Sequence, residues 1–79
     1  MSAHLRKRSL ILSGHDTSVA LEPEFWQVLD TLAQQKRLPL PTLVARIDAA
    51  RTPTQSLASA LRVYALKSLL PPENELPSS

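Results

Sequence analysis

The chain has 79 residues, with no cysteine, one glycine and seven prolines; 43% of its residues are hydrophobic and its mean hydropathy is −0.10. That composition describes one small globular domain, and it excludes a large self-contained enzyme, a disulfide-stapled scaffold and a thiolate zinc site. The formal charge of +2 is unevenly spread, since no acid precedes Asp16 while Glu73 and Glu75 lie near the end; residues 1–70 set nine basic side chains against five acidic ones, which permits a nucleic-acid partner without requiring one.

A chain with roughly 60 ordered residues buries only about 60% of the surface it exposes when unfolded, so a core of this size is marginal alone. Without a covalent staple, oligomerisation is the expected remedy. No apolar run approaches the roughly 18 residues of a membrane span. The stretch Leu10-Ile11-Leu12 that follows Arg6-Lys7-Arg8 is also too short for the apolar region of a signal peptide. A cytoplasmic location with no membrane partner is expected.

Residues 1–7 read as a basic flexible arm. Between Arg8 and Leu21 the runs Ser9-Leu10-Ile11-Leu12 and Thr17-Ser18-Val19-Ala20-Leu21 are short and rich in β-branched or large apolar residues, which predicts strand. Alternation sets Thr17, Val19 and Leu21 on one face and Asp16, Ser18 and Ala20 on the other. From Glu22 the period becomes helical. Pro23 suits a first helical position, Phe25, Leu29, Leu32 and Ala33 form a stripe, and Lys36 and Arg37 favour the C-terminal end. Leu38-Pro39-Leu40-Pro41 then breaks the chain. Leu43, Val44, Ile47 and Ala50 mark a second helix of about ten residues that Pro53 stops. A third helix is predicted from near Thr54 to before Pro71, with Leu57, Leu61, Tyr64 and Ala65 on one stripe and Val63, Leu66 and Leu70 on another. So broad an apolar surface calls for a partner. The domain therefore spans residues 8–70, and 71–79 is expected to be a disordered tail.

A lone strand leaves backbone groups unpaired on both edges. Two solutions remain open. The same strand of a second copy can pair with it across a two-fold axis, giving a β-ribbon of the width that enters the DNA major groove. Alternatively Arg8–Leu12 folds back on Thr17–Leu21, with Gly14 supplying the turn.

The stretch from Arg8 through Gly14-His15-Asp16-Thr17-Ser18 to Phe25-Trp26 and Leu29, then Leu43 to Asp48, then Leu57-Ala58-Ser59-Ala60-Leu61-Arg62-Val63-Tyr64, resembles the short bacterial ribbon-helix-helix proteins of the Arc/MetJ-like superfamily. In particular it is similar to a subgroup with Gly-His-x-Thr-Ser, Phe-Trp and a third helix, and the resemblance covers residues 8–66. It implies a mainly α fold with a short β-ribbon, one strand region and three helices per chain, assembled as an intertwined homodimer. It also implies DNA-binding transcription regulation, as in a repressor, or antitoxin activity. By position it places Asp16, Ser18 and Ala20 toward the groove and a phosphate at the backbone of Leu40 and Thr42, where the second helix starts. Val19, Leu21, Trp26, Leu43, Ile47, Leu57, Leu61 and Tyr64 fall between the subunits. The alternative within the resemblance is an antitoxin-like or adaptor dimer that holds a protein partner through its third helix or tail and binds DNA weakly or not at all.

Two departures stand out. Asp16 and Ala20 occupy positions where base-reading ribbons often carry basic or amide side chains, leaving Ser18 to bond a base; Asp16 is repelled by phosphates, although it can accept from cytosine N4. Pro39 replaces a Ser or Thr cap at the second helix, and Pro41 has no N–H. Arg6, Lys7 and Arg8 are expected to neutralise phosphates. His15 can donate to a phosphate or bond nearby backbone. Arg46, Arg51 and Arg62 are expected on solvated faces, with Arg62 also able to pair with a carboxylate between subunits. Ser13, His15, Asp16 and Ser18 crowd one segment but lack an oxyanion loop or phosphate cradle, and the two histidines have no ligand spacing; no catalysis, cofactor or metal is expected.

Overall fold

The computed structural model describes residues 4–71, so residues 1–3 of the expected arm and 72–79 of the expected tail lie outside it. Strand β1, Arg6–Leu12, pairs antiparallel with β2, His15–Leu21, from Arg6 opposite Leu21 to Leu12 opposite His15. Only Ser13 and Gly14 join them, at φ 52° and 83°. Positive φ at both central residues is the mirror-image turn whose twist matches that of the flanking strands, and the sole glycine sits where that backbone costs least. So tight a closure pairs β1 with its own chain. Of the two open solutions the hairpin is the one formed within the chain. It is also longer than sequence suggests: β1 starts at Arg6, which makes Arg6 and Lys7 strand residues.

Three helices follow. Helix α1, Pro23–Lys36, has proline in its first turn and ends at Arg37 in the left-handed region (φ 57°). There the N–H of Leu38 reaches the carbonyl of Ala33 at 2.9 Å and closes the helix end. Helix α2, Leu40–Ala50, begins two residues after Leu38 rather than beyond Pro41, because proline in a first turn lacks only a donor that the helix leaves unused. Helix α3, Leu57–Leu69, starts later than Thr54, since the Ser56 hydroxyl accepts from the N–H of Ser59 at 3.1 Å and fixes the cap there.

The ribbon's inner face, with Leu10, Leu12, Val19 and Leu21 buried, packs on the helices. Leu21, Leu29, Leu43, Val44 and Leu61 form the fully enclosed centre. Of the eight residues expected between subunits, Val19, Leu21, Trp26, Leu43, Ile47 and Leu61 are buried within a single chain. Leu57 and Tyr64 are half-buried against the same core. The reason is the hairpin, which gives one chain the two-stranded platform its helices need. Arg62 likewise pairs inside the chain: its Nε donates to Glu22 at 3.0 Å, and its guanidinium lies 5.9 Å from the Phe25 ring centre. This ties α3 to the head of α1. Among the described residues no helix is long and apolar enough to cross a membrane.

Candidate nucleic-acid interface

Alternation along β1 and β2 gives the hairpin a second, solvated face. Lys7 lies opposite Ala20, Ser9 opposite Ser18, and Ile11 opposite Asp16. The Ser9 and Ser18 hydroxyl oxygens are 3.4 Å apart at its middle. Seven residues of strand extend about 23 Å, so the face carries a cation at the end far from the turn, a hydroxyl pair at the centre, and a carboxylate beside an apolar side chain near the turn. Ile11 is 65% exposed there, more than a side chain of its type needs to be. Asp16, Ser18 and Ala20 share this face as the alternation predicts. Ser9 and Ile11 were not among the sequence-derived candidates. Their signal was the same period-two pattern in the first run, which places them outward only once the hairpin register is known.

The three basic residues at the start of β1 do not act as a unit. Lys7 points with the outer face. Arg8 belongs to the inner side, where its two terminal nitrogens each donate to one carboxylate oxygen of Asp30 at 3.0 Å. Its guanidinium also lies 4.8 Å from the ring centre of Trp26. The hydrogen bond to Asp30 raises the Arg8 pKa above its already high ordinary value. Trp26 in turn donates its Nε1–H to the Arg6 carbonyl at 2.7 Å, which explains why an indole next to the expected Phe25 stripe is only 3% exposed. The α1 face thus grips β1 through Trp26 and Asp30, one helical turn apart. An open groove of about 410 Å³ runs between β1 and α1, with Arg6, Lys7 and Arg8 on one side and Gln27, Asp30 and Gln34 on the other.

The start of α2 is a poor phosphate cradle. Pro41 has no N–H, and the N–H groups of Thr42 and Leu43 both donate to the Pro39 carbonyl, at 3.0 and 3.2 Å. Leu40 N–H remains for an external acceptor. Thr42 is exposed, so its hydroxyl rather than its amide is the group it can offer. His15 is exposed beside the turn on the inner alternation, and among the described residues its imidazole makes no hydrogen bond to nearby backbone. Arg51 is occupied by Asp48 at 2.6 Å and by the Gln55 carbonyl at 2.7 Å. No group of three or more His, Cys, Asp or Glu side chains placed to hold a metal ion occurs among the described residues.

A family model described as a ribbon-helix-helix domain matches residues 5–69, which include both strands and all three helices. No curated protein and no solved structure gives a significant match.

Proposed function

The chain belongs to the ribbon-helix-helix family, and from that premise we propose that it is a homodimeric DNA-binding transcriptional regulator of the bacterial cytoplasm. The observation that carries the reading is a two-stranded ribbon whose inner face is held on helices and whose outer face is left to solvent with two facing hydroxyls and a lysine. A ribbon is one of the few protein shapes that fits the major groove.

Dimerisation uses the free edge of β2. The Arg6 carbonyl of β1 already accepts from Trp26 and its flank faces α1, whereas β2 has no strand on its other side among the described residues. Antiparallel pairing of two β2 strands across a two-fold axis satisfies both edges and continues each hairpin into a four-stranded sheet. Strands lie about 4.8 Å apart, so the two β2 strands occupy the centre of a groove about 12 Å wide and the two β1 strands lie at its shoulders. Base contact then falls to Ser18, with Ser9 beside it; Asp16 accepts from a cytosine amine and Ala20 allows close approach. Phosphates fall to Arg6 and Lys7, to the Leu40 N–H and the Thr42 hydroxyl, and to His15 near the turn. Arg8 contributes by holding β1 on α1, since a phosphate would have to displace Asp30.

The test is a titration of genomic duplex fragments, recovered with the protein, at several salt concentrations. Arg6 and Lys7 from two chains give four charges and a slope of log K against log salt of about −4, at about −0.9 per phosphate. Asp16→Asn strengthens binding, because it removes a negative charge from the face and leaves an amide that can pair with adenine. If neither wild type nor Asp16→Asn binds any duplex at low salt, the reading is wrong.

A further inference from the structure

A second groove, of about 340 Å³, lies between α2 and α3, away from the outer face of the ribbon. Leu43 and Ile47 from α2 and Ala60, Val63 and Tyr64 from α3 give it an apolar floor. Its rim is cationic, with Lys36 at the end of α1, Arg46 on α2 and Lys67 in the last turn of α3, and no carboxylate lines it. These three side chains belong to exposed residues and take part in no ion pair among the described residues, in contrast to Arg51, which is held by Asp48. Beside the groove on α3, Leu66 lies three residues beyond Val63 and is 54% exposed, and Leu70, just past the end of the helix, is 55% exposed.

We propose that this groove docks an acidic amphipathic segment of a partner protein, which lays a row of apolar side chains on the floor and sets carboxylates against Lys36, Arg46 and Lys67. Charge selects the occupant. A second copy seated on the groove across a two-fold axis would bring two cationic rims together, which like-charge repulsion opposes. Duplex DNA would satisfy the rim but has no apolar row for Val63, Tyr64 and Leu66. A helix with apolar residues three and four apart and carboxylates on its flanks satisfies both parts of the groove. The proposal uses no residue of the ribbon's outer face and is independent of the DNA reading.

The probe is a synthetic peptide of about four helical turns, with leucine at every third or fourth position and glutamate between, titrated into the isotope-labelled whole chain and followed by NMR. The expected result is saturable binding that shifts the amides of Ile47, Val63, Tyr64 and Lys67. The double variant Arg46→Glu, Lys67→Glu, which changes only exposed side chains, should weaken it at least about tenfold, and a peptide with lysine in place of glutamate should not bind. Equal binding of the lysine peptide overturns the proposal, because the groove is then merely sticky. Shifts on the ribbon instead of the groove also overturn it, as does a groove that responds to protein concentration alone and so belongs to a second copy. If Glu73→Lys with Glu75→Lys shifts the same amides without peptide, the occupant is the chain's own acidic segment and no partner is required. Duplex binding measured on the same variants reports on the ribbon separately.

Discussion

The two faces of the hairpin are made from the same fourteen strand residues and obey different rules. On the inner face Leu10, Leu12, Val19 and Leu21 are fixed by burial, and each position is decided by what it touches. On the outer face Lys7, Ser9, Ile11, Asp16 and Ser18 are exposed and Ala20 is half-buried, so core packing does not fix their identity. Chemistry that the fold does not require is where recognition can reside. The same division separates neighbours: Arg8 is held by Asp30 and Trp26, while Lys7, one residue before it, is free of both. A basic run read along a strand is two populations, not one.

The largest effect that would break this contrast is in the core. Leu21 is fully buried, and Leu21→Ala is expected to cost about 2–5 kcal/mol from lost transfer energy and the cavity left behind. Ser18→Ala, three residues earlier on the other face, should change stability by no more than about 0.5 kcal/mol while altering which duplex is preferred. Denaturant unfolding and duplex competition measure the two quantities side by side. A Ser18 variant as unstable as the Leu21 variant would mean that the outer face is covered in the native protein.

Much of this arrangement was legible in the sequence. The switch from period two to a helical period at Glu22 placed α1, Pro53 bounded α2, and alternation sorted Thr17, Val19 and Leu21 from Asp16, Ser18 and Ala20. What was not legible depended on distance. Nothing local says that Trp26 reaches the Arg6 carbonyl twenty residues back, so Trp26 looked like a neighbour of the core stripe rather than its most closely held aromatic. Asp30 gives no local sign that it pairs with Arg8, twenty-two residues back. The ribbon was ambiguous because a period of two fixes faces but not partners; the turn at Ser13-Gly14 decided it, and Ser13 in a left-handed conformation is a weak signal. At α2 the prolines suggest a break in the chain, although Pro41 fits a first turn.

Charge substitutions at the start of β1 sharpen the contrast at an intermediate scale. Arg8→Ala removes a bidentate pair and a cation–π contact, both partly exposed, and should lower stability by about 1 kcal/mol while leaving the salt slope of duplex binding nearly unchanged. Lys7→Ala should do the opposite. With two copies in the proposed dimer it flattens the slope by about 2, at 0.9 per phosphate, and leaves the unfolding midpoint in place. Asp30→Asn should resemble Arg8→Ala in stability and, by releasing the guanidinium, steepen the slope. Equal slopes for the Arg8 and Lys7 variants would show that the ion pair opens when DNA binds.

The smallest effect concerns the hinge between ribbon and helices, where Glu22 follows β2 and holds Arg62 of α3. The hydrogen bond from Arg62 is the main reason the Glu22 carboxyl is held below its ordinary value of 4.5. A carboxyl with a lowered native pKa binds fewer protons folded than unfolded between the two values, so its stabilising contribution is complete above the ordinary value and is lost as pH falls through the native one. Both partners are about one-third exposed, so solvent screens the pair and the contribution is small. Glu22→Gln should therefore lower the thermal midpoint slightly at neutral pH, and the gap from wild type should close as the pH is taken below the ordinary glutamate range. High salt should narrow the same gap at neutral pH. A gap that is constant with pH would assign the role of Glu22 to the shape of the β2–α1 junction rather than to its charge, and Arg62 would then be expected to tolerate substitution by glutamine without further loss.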